Sequence, residues 1–184
     1  STKSRAFSVF AEDEIRINKL TLAPGLRFES IKLKRKDYDN ENDTARTNAT
    51  TTKTSEDVLI PGISANYKIA DNLNIFGGIH KGFASATPGN EAEPEESVNY
   101  EMGTRFKNGN LFLESVLFFN DYKNLLGEEV GSLGDQYNSG AVQVKGLELA
   151  SLYRIKTNII KNQVNFPIRA SYTYIESEFK SSFE

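Results

Sequence analysis

The sequence predicts an all-β fold, an antiparallel up-and-down sheet of long strands. Three observations carry the prediction. Polar and apolar residues alternate with period two along most of the chain, which puts successive side chains on opposite faces of a strand. The connections between the alternating runs are short and long in turn. No apolar run approaches the roughly 18 residues of a membrane helix.

Eight strands are expected, at roughly 5–17, 20–34, 58–70, 73–85, 97–107, 111–123, 140–153 and 164–178. On the second, Leu20, Leu22, Pro24, Leu26 and Phe28 face one way and Thr21, Ala23, Gly25, Arg27 and Glu29 the other. The third sets Pro61, Ile63, Ala65, Tyr67 and Ile69 against Gly62, Ser64, Asn66 and Lys68. The fourth carries His80, the only histidine, on the polar parity near its end. The fifth sets Tyr100, Met102, Thr104 and Phe106 against Asn99, Glu101, Gly103 and Arg105. Asn108-Gly109 then signals a type I′ hairpin turn. The sixth places Leu111, Leu113, Ser115, Leu117 and Phe119 on one face. In the seventh the alternation slips between Val144 and Leu147, so a β-bulge is expected at Gly146, returning Gln143, Lys145 and Glu148 to one face. The eighth sets Ile168, Ala170, Tyr172 and Tyr174 against Arg169, Ser171 and Thr173. Pro24, Pro61 and Pro167 lack a donor, which suggests bulges or strand ends.

Composition bounds the remainder. The chain has 184 residues, of which 38% are hydrophobic, with no cysteine and no tryptophan. Disulfides and thiolate metal sites are excluded. A net charge of −3 gives no nucleic-acid signature. Carboxylates are frequent, but none sits in a recognisable nucleophile, base or metal set, so no enzyme is expected.

Long strands with one apolar and one polar face, joined by alternately short and long connections, fit a transmembrane β-barrel. Lipid meets the apolar face and water the polar one, and a sheet in lipid must close. A soluble β-sandwich also alternates, but its strands are shorter. The short turns are "NKL" (18–20), "ADN" (70–72) and "NGN" (108–110); the long loops are about 36–57, 86–96 and 124–139, and the link 154–163 is intermediate. Short turns belong in the periplasm, so both chain ends fall at the outer rim. A complete small barrel keeps its ends in the periplasm, so the chain is expected to be about eight strands of a larger barrel.

Four stretches then resemble a known family: "FAEDEIRINKLTLAPGLRFE" (10–29), "LIPGISANYKIADNLNIFGGIHKGF" (59–83), "ESVNYEMGTRFKNGNLFLESVLFFNDYKN" (96–124) and "VKGLELASLYRI" (144–155). They are similar to TonB-dependent outer-membrane receptors, most of all to the ferric-citrate and siderophore branch. The resemblance implies a 22-stranded barrel, a plug inside it, energy from TonB through that plug, and import of a ferric chelate or similar scarce nutrient across the outer membrane of a Gram-negative bacterium. Residues 1–184 would be a partial barrel domain, with the plug and terminal strands absent. A small non-transporting barrel serving as adhesin or anchor is the alternative. No cofactor and no resident metal are expected.

The ligand-binding candidates are the polar side chains expected on the lumen or rim: His80, Arg27, Glu101, Arg105 and Lys145. Asp37, Asp39, Glu41 and Asp43 alternate like a calcium loop, but Asn42 stands where the EF-hand glycine belongs. On the second strand, the lipid parity continues into Lys32, Lys34 and Lys36. Nine tilted residues climb roughly 20 Å, which brings these lysines just above the apolar band, where lipopolysaccharide presents phosphates. Outer-membrane lipid and lipopolysaccharide are therefore expected partners.

Overall fold

The computed structural model describes residues 1–38, 49–88, 92–128, 136–159 and 162–180. Every regular element in them is a strand: β1 (Thr2–Glu12), β2 (Ile15–Ile17), β3 (Leu20–Tyr38), β4 (Ala49–Ala70), β5 (Leu73–Ala84), β6 (Glu95–Asn108), β7 (Leu111–Lys123), β8 (Leu126–Glu128), β9 (Gln136–Asn138), β10 (Val142–Ile159) and β11 (Asn162–Phe179). Eight form one antiparallel layer in the order β1-β3-β4-β5-β6-β7-β10-β11, with β2 beside β3. β8 and β9 make a separate hairpin. β1 and β11 are the two edges of the sheet.

The alternation becomes two physical faces. Leu26, Ile63, Tyr67, Met102, Leu113, Leu117, Ile168 and Tyr172 lie on one face and are between 42% and 57% exposed. Among the exposed large hydrophobics of the main sheet, Phe10, Ile175 and Phe179 are the exceptions on the polar face, all on the edge strands. Among the described residues the buried hydrophobics are Val58, Ala86 and Val142 alone. The accessible surface is 13254 Å², against about 8,900 Å² for a compact chain of this mass. A single layer has no second layer to bury its apolar face against, so that face stays exposed.

At one end the connections are two-residue turns. Asn18 and Gly109 adopt positive φ (54° each) at the first turn position. The turn after β6 is Gly109-Asn110, one residue beyond the expected Asn108-Gly109, since Asn108 pairs with Leu111. Only its first residue has positive φ, so it is not type I′. In the Asp71-Asn72 turn the Lys68 ammonium lies 2.9 Å from the Asp71 carboxylate and holds its pKa below the usual value. The last carbonyl of each turn accepts a bond from the following hairpin: Lys19 O from Lys68 N, Asn72 O from Lys107 N and Asn110 O from Arg154 N. The link expected at 154–163 is no intermediate loop, because β10 and β11 run on and leave two residues between them.

Two further expectations fail. Register between β7 and β10 is unbroken from Val142 to Tyr153, so Gly146 carries no bulge. Its missing side chain instead makes room for the Phe118 ring. The three prolines lie inside strands without a register shift. Each points its donor-less nitrogen where no ladder bond is available, since donor direction alternates along an antiparallel strand. Pro24 O accepts from Asp13 N, so Pro24 faces the break between β1 and β2. By the same alternation Pro61 faces β5 just beyond the last β4–β5 pair, Gly62–His80. Arg154 N bonds toward β7, so its partner Pro167 faces the free edge of β11.

Candidate functional site

Cross-strand register assembles the polar face row by row. One row reads Gly25–Gly62–His80–Asn99–Asn120. The next toward the turns is Ala23–Ser64–Gly78–Glu101–Phe118–Gly146, and then Thr21–Asn66–Phe76–Gly103–Val116–Glu148. Six of the seven glycines inside strands of the main sheet fall on this face; Gly77 is the exception. Where side chains are missing the wall is hollow. A trough of about 740 Å³ results, with Arg27, His80, Glu101 and Arg105 on its walls beside Glu12 and Phe76. A second hollow of about 490 Å³ adjoins it at Glu101, Arg105, Glu114 and Glu148.

The charges within it are partly spoken for. Arg105 Nε donates to Glu114 Oε2 at 2.6 Å across the β6–β7 pair, and its guanidinium lies 5.0 Å from the centre of the Phe76 ring. Phe76 can lie there because a Cβ on Gly103 would come within 2.6 Å of its tip. Arg27 Nε donates to Glu29 Oε1 at 2.5 Å. Among the described residues, the His80 imidazole and the Glu101 carboxylate have no ion-pair partner. The Glu12 carboxylate on the same trough wall likewise has none. No group of three metal-ligating side chains occurs among the described residues.

Four of the five ligand candidates thus share one trough, but Lys145 does not. Without a bulge it falls on the apolar parity opposite Phe119, and its Nζ lies 3.5 Å from Glu176. Lys32, Lys34 and Lys36 do share the face of Leu20 to Phe28, because the β3–β4 register never shifts. Most of the acidic calcium-like loop lies outside the described residues; Asp37 is inside, paired with Arg35 at 2.8 Å. The glycine floor was missed in the sequence reading. Its signal was present as glycine recurring on the polar parity.

A hydrogen-bonded clasp joins two of the long connections. Asn138 Oδ1 accepts from Glu93 N at 2.7 Å, while its Nδ2 donates to Glu93 O and Asn124 O. Asn124 Nδ2 donates to Glu93 Oε2, Thr87 N to Gln136 Oε1, and Leu126 N to Glu95 Oε2. These bonds tie the described parts of the β5–β6 and β7–β10 connections together at the rim.

A one-layer sheet with an apolar outer face and a hollowed polar inner face is a wall section of a transmembrane β-barrel. The chain belongs to the TonB-dependent receptor family: the family model "TonB dependent receptor-like, beta-barrel" matches residues 1–183. Receptors of this family are not enzymes. The pesticin receptor of Yersinia enterocolitica is 27% identical over 130 residues, covering 60% of this chain and 19% of the receptor. The siderophore receptor PiuA of Acinetobacter baumannii superposes with a TM-score of 0.79 at 22% identity, over 98% of this chain and 26% of PiuA. The unliganded ferric citrate transporter FecA gives a TM-score of 0.71 at 23% identity, over 96% of this chain and 26% of FecA. The chain thus spans about a quarter or less of these relatives.

Proposed function

We propose that this chain supplies wall and outer loops to a receptor that binds a ferric chelate and imports it across the outer membrane of a Gram-negative bacterium. The trough carries the reading. It offers a hollow of about 740 Å³ on the polar face, with His80 and Glu101 unpaired. The names of the siderophore and ferric citrate relatives agree with such cargo. On this reading residues 1–184 are one section of a wider closed barrel, whose edges β1 and β11 meet further strands. The long-loop end faces outward, and TonB acts through a plug outside this section.

The test uses the full-length receptor. A Cβ at Gly25 has no neighbour nearer than 3.9 Å, so Gly25→Gln fits the wall and projects into the trough. Ferric-chelate affinity is expected to fall about tenfold, or ~1.4 kcal/mol, with the barrel still heat-modifiable. Affinity unchanged in Gly25→Gln and in His80→Ala would remove the trough from the ligand path. Recovery of the receptor outside the outer-membrane fraction would contradict the location.

A further inference from the structure

We infer that the tops of β1, β3 and β4 form a docking site for the phosphorylated headgroup of the outer-leaflet glycolipid. The site enlarges the three lysines of β3 to a patch of six cations on three strands. Register places Lys3–Lys34–Lys53 in one row and Arg5–Lys32 in the row below, with Lys36 above opposite Thr51. Neighbouring strands lie about 4.8 Å apart and alternate residues about 7 Å, so the patch spans roughly 10 by 13 Å. Like charges set directly opposite each other repel. An anion held between the rows relieves that repulsion.

The rest of the same rim serves as an internal control. On β5, β6, β7, β10 and β11 the outward residues at this height include four cations, Lys81, Lys123, Lys145 and Lys180, and four carboxylates, Glu96, Asp121, Glu176 and Glu178. Lys81 pairs with Glu96 at 2.7 Å, Lys180 with Glu178 at 3.0 Å and Lys145 with Glu176 at 3.5 Å. On β1, β3 and β4, Asp57 is the lone outward carboxylate near the cations among the described residues, one row below them opposite Ser30. No described carboxylate pairs with any of the six.

Position selects the occupant. Below the Ser30–Asp57 row, where β1 already carries Phe7, the same face turns apolar on all three strands, at Val9, at Phe28 and Leu26, and at Leu59 and Pro61. A soluble anion would use only the upper half. An amphiphile with phosphates above acyl chains matches both halves, each ammonium acting as a point charge on phosphate. This inference rests on the membrane reading above.

The experiment uses the full-length receptor in nanodiscs containing bis-phosphorylated lipid A, with the charge-removed variant Lys3→Gln/Arg5→Gln/Lys32→Gln/Lys34→Gln/Lys53→Gln. Lipid A retention is expected to fall at least tenfold. A control variant, Lys81→Gln/Lys145→Gln/Lys180→Gln, should stay within about twofold, as should ferric-chelate affinity in both. Replacing the patch lysines by arginine should restore retention, and dephosphorylated lipid A should show no difference between variants. If the fivefold variant does not assemble, single Lys34→Gln carries the comparison. Equal loss in patch and control variants, or displacement of lipid A by millimolar inorganic phosphate alone, would overturn the site. A spin label at Leu113, remote from the patch, reads lipid contact separately: contact there with no patch effect rejects this inference alone, and no contact rejects the membrane reading too.

Discussion

At the scale of single residues, neighbours in sequence carry opposite sensitivities. Leu113 and Glu114 are adjacent on β7 and face opposite sides of the sheet. Leu113→Arg in the full-length receptor should cost about 2–4 kcal/mol, since it puts a charge on the lipid face. Glu114→Gln should cost only about 0.2–1 kcal/mol, because Arg105 is 48% exposed and water replaces most of the pair. Urea unfolding in liposomes reads both. Equal costs would reverse or erase the two-faced assignment. Gly103→Ala is the counter-case on the polar face. Its Cβ would collide with Phe76 and the backbone oxygen of Ser115, at 2.6 Å each, so a loss of about 1–3 kcal/mol is expected despite the change being one methyl. Unaltered stability would mean the ring does not lie on that glycine. Lys145 teaches the related lesson: a side chain's face follows from register, not from its polarity.

At the scale of elements, hairpin geometry was written locally and loop geometry was not. Asn18 and Gly109 mark their turns because asparagine and glycine tolerate positive φ. The prolines were legible as anomalies but not as solutions, since which side of a strand lacks a partner depends on its neighbours. The rim clasp had no local signal at all. Asn138 meets Glu93 across 45 residues of chain. Asn138→Ala removes one acceptor and two donated bonds, leaving Glu93 N without its partner. Amide exchange at Glu93 should quicken by about tenfold or more, with β6 and β7 interiors unchanged. Exchange in both loops unaffected by the change would show that they move independently.

At the scale of the whole molecule, one layer cannot hold itself together in water. The chain expressed alone should not form a closed monomeric pore. Its eight main strands lie in a sheet whose two edges do not pair, and an eight-stranded closure demands its own tilt and shear. Edges β1 and β11 expose unpaired ladders and invite association. Detergent refolding should therefore give aggregates. A heat-modifiable monomer with single-channel conductance would refute this. Adding the remaining barrel sequence should restore assembly.

Sequence alone determined the eight main strands, both faces of nearly all of them, the alternation of turns and loops, and through them the barrel class. Those properties depend on a period of two residues and on contacts within a hairpin, so they are local. It also placed His80, Arg27, Glu101 and Arg105 on the polar side, because parity needs only an unbroken strand. It did not show the break between β1 and β2, the start of β4 at Ala49 inside the expected loop 36–57, or the β8–β9 hairpin. Tertiary structure decided what depends on register between strands distant in the chain. It brought six glycines onto one face, three of which, Gly25, Gly62 and Gly78, line the trough. It moved Lys145 outward by denying the bulge at Gly146. It set Lys3 and Lys53, fifty residues apart, on either side of Lys34. A sequence states which face a residue takes; only the paired sheet states which residues stand beside it, and charge and hollow space are properties of neighbours.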